Sequence, residues 1–150
     1  MNDLKIKNVD VEGNISYDGL AKLEMACFPD DAWSSQTIEA LLRASIRYGF
    51  VIENDDQPIG YVLLTCFEGE AEIERIGIVP SCRGRHYGRI LLEQVFKMLD
   101  VRRCVLEVNA QNISATKMYR SCGFSLFGKR TAYYHDGSDA LMMEWKRENE

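Results

Sequence analysis

Apolar and polar residues alternate along Leu4-Lys5-Ile6-Lys7-Asn8-Val9, which predicts a first strand. Leu20, Leu23 and Cys27 then recur at helical spacing, with Ile15 upstream, and predict an amphipathic helix over 15–27. Phe28-Pro29-Asp30-Asp31-Ala32 breaks it. A second helix opens at Trp33-Ser34, with Ser34 as N-cap and Ile38, Leu41, Leu42 and Ile46 at helical spacing. Three strands are predicted next, over 48–53, 59–67 and 71–79. The turn Asn54-Asp55-Asp56-Gln57-Pro58 makes a hairpin of the first two, and Glu68-Gly69-Glu70 turns into the third. Leu91, Leu92, Val95, Phe96 and Leu99 share one face of a helix over 87–99. A short strand over 104–108 precedes a helix over 114–122, which Gly123 ends. Two last strands, 124–133 and 140–145, flank the turn His135-Asp136-Gly137-Ser138.

The order is strand, helix, helix, three strands, helix, strand, helix, two strands. It fits an α/β (α+β) mixed sheet with helices on both faces. Strand 71–79, helix 87–99 and strand 104–108 form one right-handed βαβ unit. A chain of 150 residues is the size of one domain, so residues 1–150 are read as a single unit. It needs no disulfide or metal for stability, since a domain this size buries roughly 68–70% of its extended-chain surface.

Charge and cysteine usage narrow the chemistry. The formal net charge of −5 argues against a duplex nucleic-acid binder and is compatible with a cationic acceptor. Cys27, Cys66, Cys82, Cys104 and Cys122 are odd in number and scattered, which points to free thiols in a reducing compartment. The two histidines, His86 and His135, are far apart, so no metal site is expected. No signal-peptide pattern or membrane-length apolar run occurs, and the expected location is the cytoplasm.

Two segments carry candidate chemistry. In the first, the strand ending Ile76-Gly77-Ile78-Val79-Pro80 runs through Ser81-Cys82 into Arg83-Gly84-Arg85-His86-Tyr87-Gly88, where a helix begins. Orphan N–H groups and the helix dipole at such a junction favour an anion. Gly84 and Gly88 remove side chains, and Arg83 and Arg85 add positive charge. The spacing is neither that of a P-loop nor that of a dinucleotide fingerprint. From composition alone, an ordinary βα loop with surface arginines fits equally. The second segment runs from Leu106-Glu107-Val108 through Asn112, Ala115 and Tyr119 to Gly123-Phe124.

The first segment resembles motif A of the GNAT superfamily of N-acetyltransferases, [RQ]-x-x-G-x-[GA]. Arg83 matches its first position and Gly88 its last, and His86 stands where the family has glycine. The second resembles the family's motif B, an L-E-V strand, an N-x-x-A helix start and a Y-x-x-x-G-F ending. It is most similar to the RimI-type branch, which acts on the N-terminal alanine of a small-subunit ribosomal protein. Tyr133-Tyr134, Asp139-Ala140, Phe28-Pro29 and Trp33-Ser34 extend the likeness over roughly residues 4–145.

The resemblance implies a GNAT fold with a mostly antiparallel sheet, acetyl-CoA as donor and CoA as product. It implies direct attack by the amine on the thioester in a ternary complex. The acceptor it implies is a protein or peptide N-terminus, that of a basic ribosomal protein, with no nucleic acid or membrane contact. A free amine, another peptide, or CoA binding without turnover are the alternatives. A monomer or weak dimer is expected.

Site roles follow by the same likeness. Ile76, Gly77 and Ile78 offer backbone to pantetheine, with a bulge or close approach at Gly77. The amides of Arg83, Gly84, Arg85, His86, Tyr87 and Gly88 cradle the pyrophosphate, and Asn112 and Ala115 also hold the cofactor. Glu107 is the base and is expected to be partly buried. Tyr119 is the acid that protonates the leaving thiolate. Glu24, Glu74, Tyr133, Tyr134 and Asp139 line the acceptor pocket. Each also has a plainer reading: a paired strand-end carboxylate for Glu107, packing for Tyr119 and Tyr133-Tyr134, an N-cap for Asn112, and a solvated acidic face for Glu24 and Glu74.

Overall fold

A computed structural model of the chain describes residues 3–9, 17–43 and 46–148. Ile15, assigned above to the first helix, lies outside them. The elements are β1 (Leu4–Val9), α1 (Tyr17–Cys27), α2 (Ser35–Leu42), β2 (Arg47–Asn54), β3 (Gln57–Phe67), β4 (Glu70–Ile78), a 3-10 turn (Pro80–Cys82), α3 (Tyr87–Met98), β5 (Arg103–Asn109), α4 (Ile113–Ser121), β6 (Ser125–Arg130) and β7 (Ala140–Lys146). The predicted order holds. Strand 124–133 is shorter than expected, and Ile46 lies outside α2, exposed.

One seven-stranded sheet runs in the order β1-β2-β3-β4-β5-β7-β6. Among the described residues only β4 and β5 pair in parallel, and the other pairs are antiparallel. Strand alternation sorts the core. Val51, Tyr61 and Leu63 pack with Leu20, Leu23, Cys27 and Ile38 of α1 and α2 on one face. Phe50, Ile52, Val62 and Leu64 pack with Leu91, Leu92 and Val95 of α3 on the other, where Leu106, Val108, Tyr119 and Met143 join them. Local caps set the helix starts. Ser34 accepts from the Thr37 N–H at 3.2 Å, and Asn112 Oδ1 accepts from the Ala115 N–H at 3.2 Å.

Two departures from regular pairing shape the centre. The β4–β5 ladder runs only from Glu70↔Arg103 to Glu72↔Val105. Beyond it β4 keeps β3 as its neighbour as far as Ile78, and β5 keeps β7 as far as Asn109. The carboxyl ends of β4 and β5 therefore part. In addition, Leu63 pairs with Arg75 and Leu64 with Ile73, which leaves Glu74 as an extra residue on β4. The bulge thus sits three residues before Gly77. At Gly77 the constraint is close approach: a Cβ there would lie 2.9 Å from both Cβ and Sγ of Cys27. Gly77 lets the end of α1 close on β4.

Candidate active site

A cleft of about 580 Å³ opens beside the carboxyl end of β4. Its walls come from the end of α1, β4, the turn after it, and the first turns and facing sides of α3 and α4. Ile76, Gly77, Ile78, Arg83, Gly84, His86, Tyr87, Gly88, Asn112, Ala115 and Tyr119 all line it. Arg85 is exposed and outside the lining. The lining includes Arg83, Arg89 and Lys117 and, among the described residues, no carboxylate. In a chain of net charge −5, that is a local excess of positive charge suited to an anionic ligand.

The turn before α3 is built for backbone donors. Gly84 has φ +79°, and a Cβ placed on it would meet nothing within 4 Å. His86 has φ 66° and ψ 16°, the left-handed region, and provides no side-chain cap to α3. The residue that replaces the motif glycine therefore adopts a glycine's conformation. Arg83 Nε donates to the Ile78 carbonyl at 2.8 Å, which ties the loop to the end of β4. These features fit a pyrophosphate: open backbone, a helix start and nearby cations.

A non-glycine residue in this conformation costs about 1–2 kcal/mol, and glycine would return about half through its freer unfolded chain. His86→Gly is therefore expected to raise stability by about 0.5–1 kcal/mol. It should leave acetyl-CoA affinity unchanged if the amide of His86, as the motif resemblance implies, is its contact to the cofactor. Thermal denaturation and calorimetry check both, and a loss of affinity would show that the imidazole itself takes part.

Across the cleft, Gly88 packs on Met118, which brings α3 and α4 together. Tyr119 is buried among Phe124 and the α3 core. Burial pushes its phenol well above the usual tyrosine range, with smaller contributions from Cys104 and Cys122. At neutral pH it is a proton donor.

Glu107 differs from the partly buried carboxylate expected. Leu106 and Val108 point into the core, so alternation turns Glu107 to the opposite face of the sheet. The helices α1 and α2 pack over β1–β4, and on β5 the Glu107 carboxylate is exposed and ion-paired with Arg130 Nε at 3.0 Å. Tyr134 is close enough for Glu107 to help raise its phenol, after burial as the main cause. Tyr133 and Tyr134 meet edge to face at 5.2 Å. Asp139 Oδ1 accepts from the Ala132 N–H at 2.8 Å, and its other oxygen lies 3.7 Å from Lys129 Nζ.

The other two acceptor-pocket candidates are engaged elsewhere. Glu74 pairs with Arg47 Nε at 2.9 Å. Glu24 is fully buried and cannot line an open pocket. It accepts from Arg75 Nε at 2.9 Å and Nη2 at 3.1 Å, from the Trp33 N–H at 2.9 Å, and from the Tyr61 hydroxyl. The Arg75 guanidinium also lies over Phe28 at 4.1 Å and Trp33 at 4.8 Å. This network fixes the α1–α2 connection beside the cleft.

Sequence reasoning passed over Phe28, Arg89, Ser114, Lys117 and Met118 as cleft residues. Arg89, in the first turn of α3, and Lys117, in the middle of α4, both line the cleft.

The acetyltransferase (GNAT) family model matches residues 17–124. A candidate [ribosomal protein bS18]-alanine N-acetyltransferase of Bacillus subtilis is 31% identical over 97% of this chain and 96% of its own. The N-alpha-acetyltransferase RimI of Mycobacterium tuberculosis is 39% identical over 82% of each. The ribosomal-protein-S18-alanine N-acetyltransferase of Escherichia coli superposes with a TM-score of 0.82 at 23% identity, covering 100% of this chain and 96% of that one. The chain belongs to the acetyltransferase (GNAT) family and is an acetyl-CoA-dependent N-acetyltransferase.

Proposed function

We propose that the protein acetylates the N-terminal α-amine of a protein, an Ala-initiated small-subunit ribosomal protein, in the cytoplasm, acting as a monomer or weak dimer. The observation that carries the reading is the cleft at the end of β4, walled by α3 and α4: cationic and, among the described residues, free of carboxylates, with a hydroxyl in its wall and the Glu107 carboxylate outside it on β5. The names of the relatives from B. subtilis and M. tuberculosis support the acceptor, and the free thiols fit a reducing compartment.

When bound, acetyl-CoA supplies the acetyl group as a thioester. The amides of the 82–88 turn, with Arg83 and Arg89, hold its phosphates, and the backbone of Ile76–Ile78 and Asn112 steadies its arm. Glu107 accepts a proton from the acceptor's ammonium, directly or through water. The amine nitrogen then bonds to the acetyl carbon as the carbon–sulfur bond breaks, the Tyr119 hydroxyl gives its proton to the departing sulfur, and the nitrogen's surplus proton passes to solvent, as does the proton held by Glu107. Solvent restores the Tyr119 proton. Because Glu107 and Tyr119 lie on opposite faces of the sheet, the two proton transfers are kept apart.

An α-amine suits this base. At its reference pKa near 8, about a tenth is already neutral at pH 7, against less than about 0.1% for a lysine near 10.4. The test is an acetylation assay comparing an Ala-initiated ribosomal peptide, a lysine peptide with a blocked N-terminus, and a free polyamine. The peptide α-amine should give the highest kcat/KM, by about tenfold or more, in keeping with that difference in neutral fraction. A polyamine preferred over the peptide would overturn the acceptor assignment.

A further inference from the structure

We propose that Arg130 is a placeholder for the acceptor's ammonium group, holding Glu107 until the amine displaces it. The inference rests on Glu107 being the acceptor-side carboxylate.

Arg130 is the last residue of β6, and its side chain is about half exposed. Its Nε reaches Glu107 Oε1 at 3.0 Å, and the guanidinium lies 5.7 Å from the Tyr133 ring centroid. One flexible side chain thus spans the carboxylate on β5 and an aromatic face on the segment between β6 and β7. Both acidic partners at this edge are held by cations of β6: Glu107 by Arg130 and Asp139 by Lys129. An arriving ammonium meets Glu107 already engaged.

Exposure decides what the pair does. Ion pairs this open to water add little to stability, so the pair is poorly explained as a brace. The same weakness makes it easy to displace. The ammonium and the guanidinium are both cations drawn to the same carboxylate, and the repulsion between two like charges at that distance opposes their holding it together. Tyr133 offers the displaced guanidinium a second site, a ring face within cation–π range. Arg130 therefore acts as a competitor of the substrate for Glu107.

Steady-state kinetics of Arg130→Ala and Arg130→Lys, with the acceptor peptide varied, test this. Removing the competitor should lower the acceptor KM about two- to fivefold, the range a surface ion pair corresponds to. The KM for acetyl-CoA should not move, and kcat should be kept within about twofold. Arg130→Lys restores a cation and should return the acceptor KM to near the wild-type value. In the Glu107→Gln background, Arg130→Ala should have no effect on the acceptor KM, because the two act through one contact. An acceptor KM that is unchanged or raised in Arg130→Ala overturns the proposal, as does an effect that persists without the Glu107 carboxylate. Full kcat in Glu107→Gln alone would instead remove the base role, while the comparison of Ala and Lys at position 130 still decides the placeholder.

Discussion

Glu107→Gln is expected to lower kcat by about 10²- to 10³-fold while changing the KM for acetyl-CoA little. The substitution keeps the shape of the side chain but removes the proton acceptor and the charge that holds Arg130. General-base catalysis contributes about 10²–10⁴-fold where it operates, so a loss in that range is what the role requires. The acetyl-CoA KM should hold because Glu107 is outside the cleft lining. Tyr119→Phe should give a comparable loss from the other side of the sheet by removing the donor to the leaving sulfur. Tyr119 lies inside the lining, yet the change takes away only a hydroxyl, so binding should again survive. Steady-state kinetics check both. Full kcat in both variants would remove the proposed proton route.

The second large effect is on stability. Arg75→Ala strips the partner from a carboxylate that has no exposed surface, since the Glu24 side chain is 0% accessible and that of Arg75 only 14%. Breaking a buried pair from one side costs about 3–5 kcal/mol, because the remaining charge is left uncompensated. For a domain of this size each kcal/mol moves Tm by about 2–4 °C, so a fall of roughly 10 °C is expected. The Glu24→Gln/Arg75→Met double variant should recover part of that loss, as both charges then go together. Scanning calorimetry of the three proteins decides it. The acetyl-CoA KM should also rise in Arg75→Ala, because Phe28, which stacks on the guanidinium, is part of the cleft wall. A Tm within about 2 °C of wild type would show that the network is not a structural anchor.

The element order was legible because its signals are local. Apolar runs in β2 and β3, helical spacing in α3, and side-chain caps at Ser34 and Asn112 depend on near neighbours in the chain. The left-handed turn before α3 was legible for the same reason, including the glycine-like demand on His86. What escaped was relational. The bulge at Glu74 belongs to the register between β3 and β4, and nothing in the β4 sequence marks it. Glu24 reads as a surface acid in an amphipathic helix until Arg75, 51 residues on, closes over it. The exposure of Glu107 follows from where α1 and α2 end across the sheet, which alternation along β5 does not encode.

Product mapping shows most directly where the acetyl group goes. A peptide beginning with alanine and carrying an internal lysine is incubated with the enzyme and acetyl-CoA, and fragment masses locate the modification. The account predicts a single acetyl group on the alanine α-nitrogen, formed with wild-type enzyme and nearly lost with Glu107→Gln. Acetyl on the lysine side chain, or an α-amine left unmodified while a free polyamine is acetylated, would contradict it.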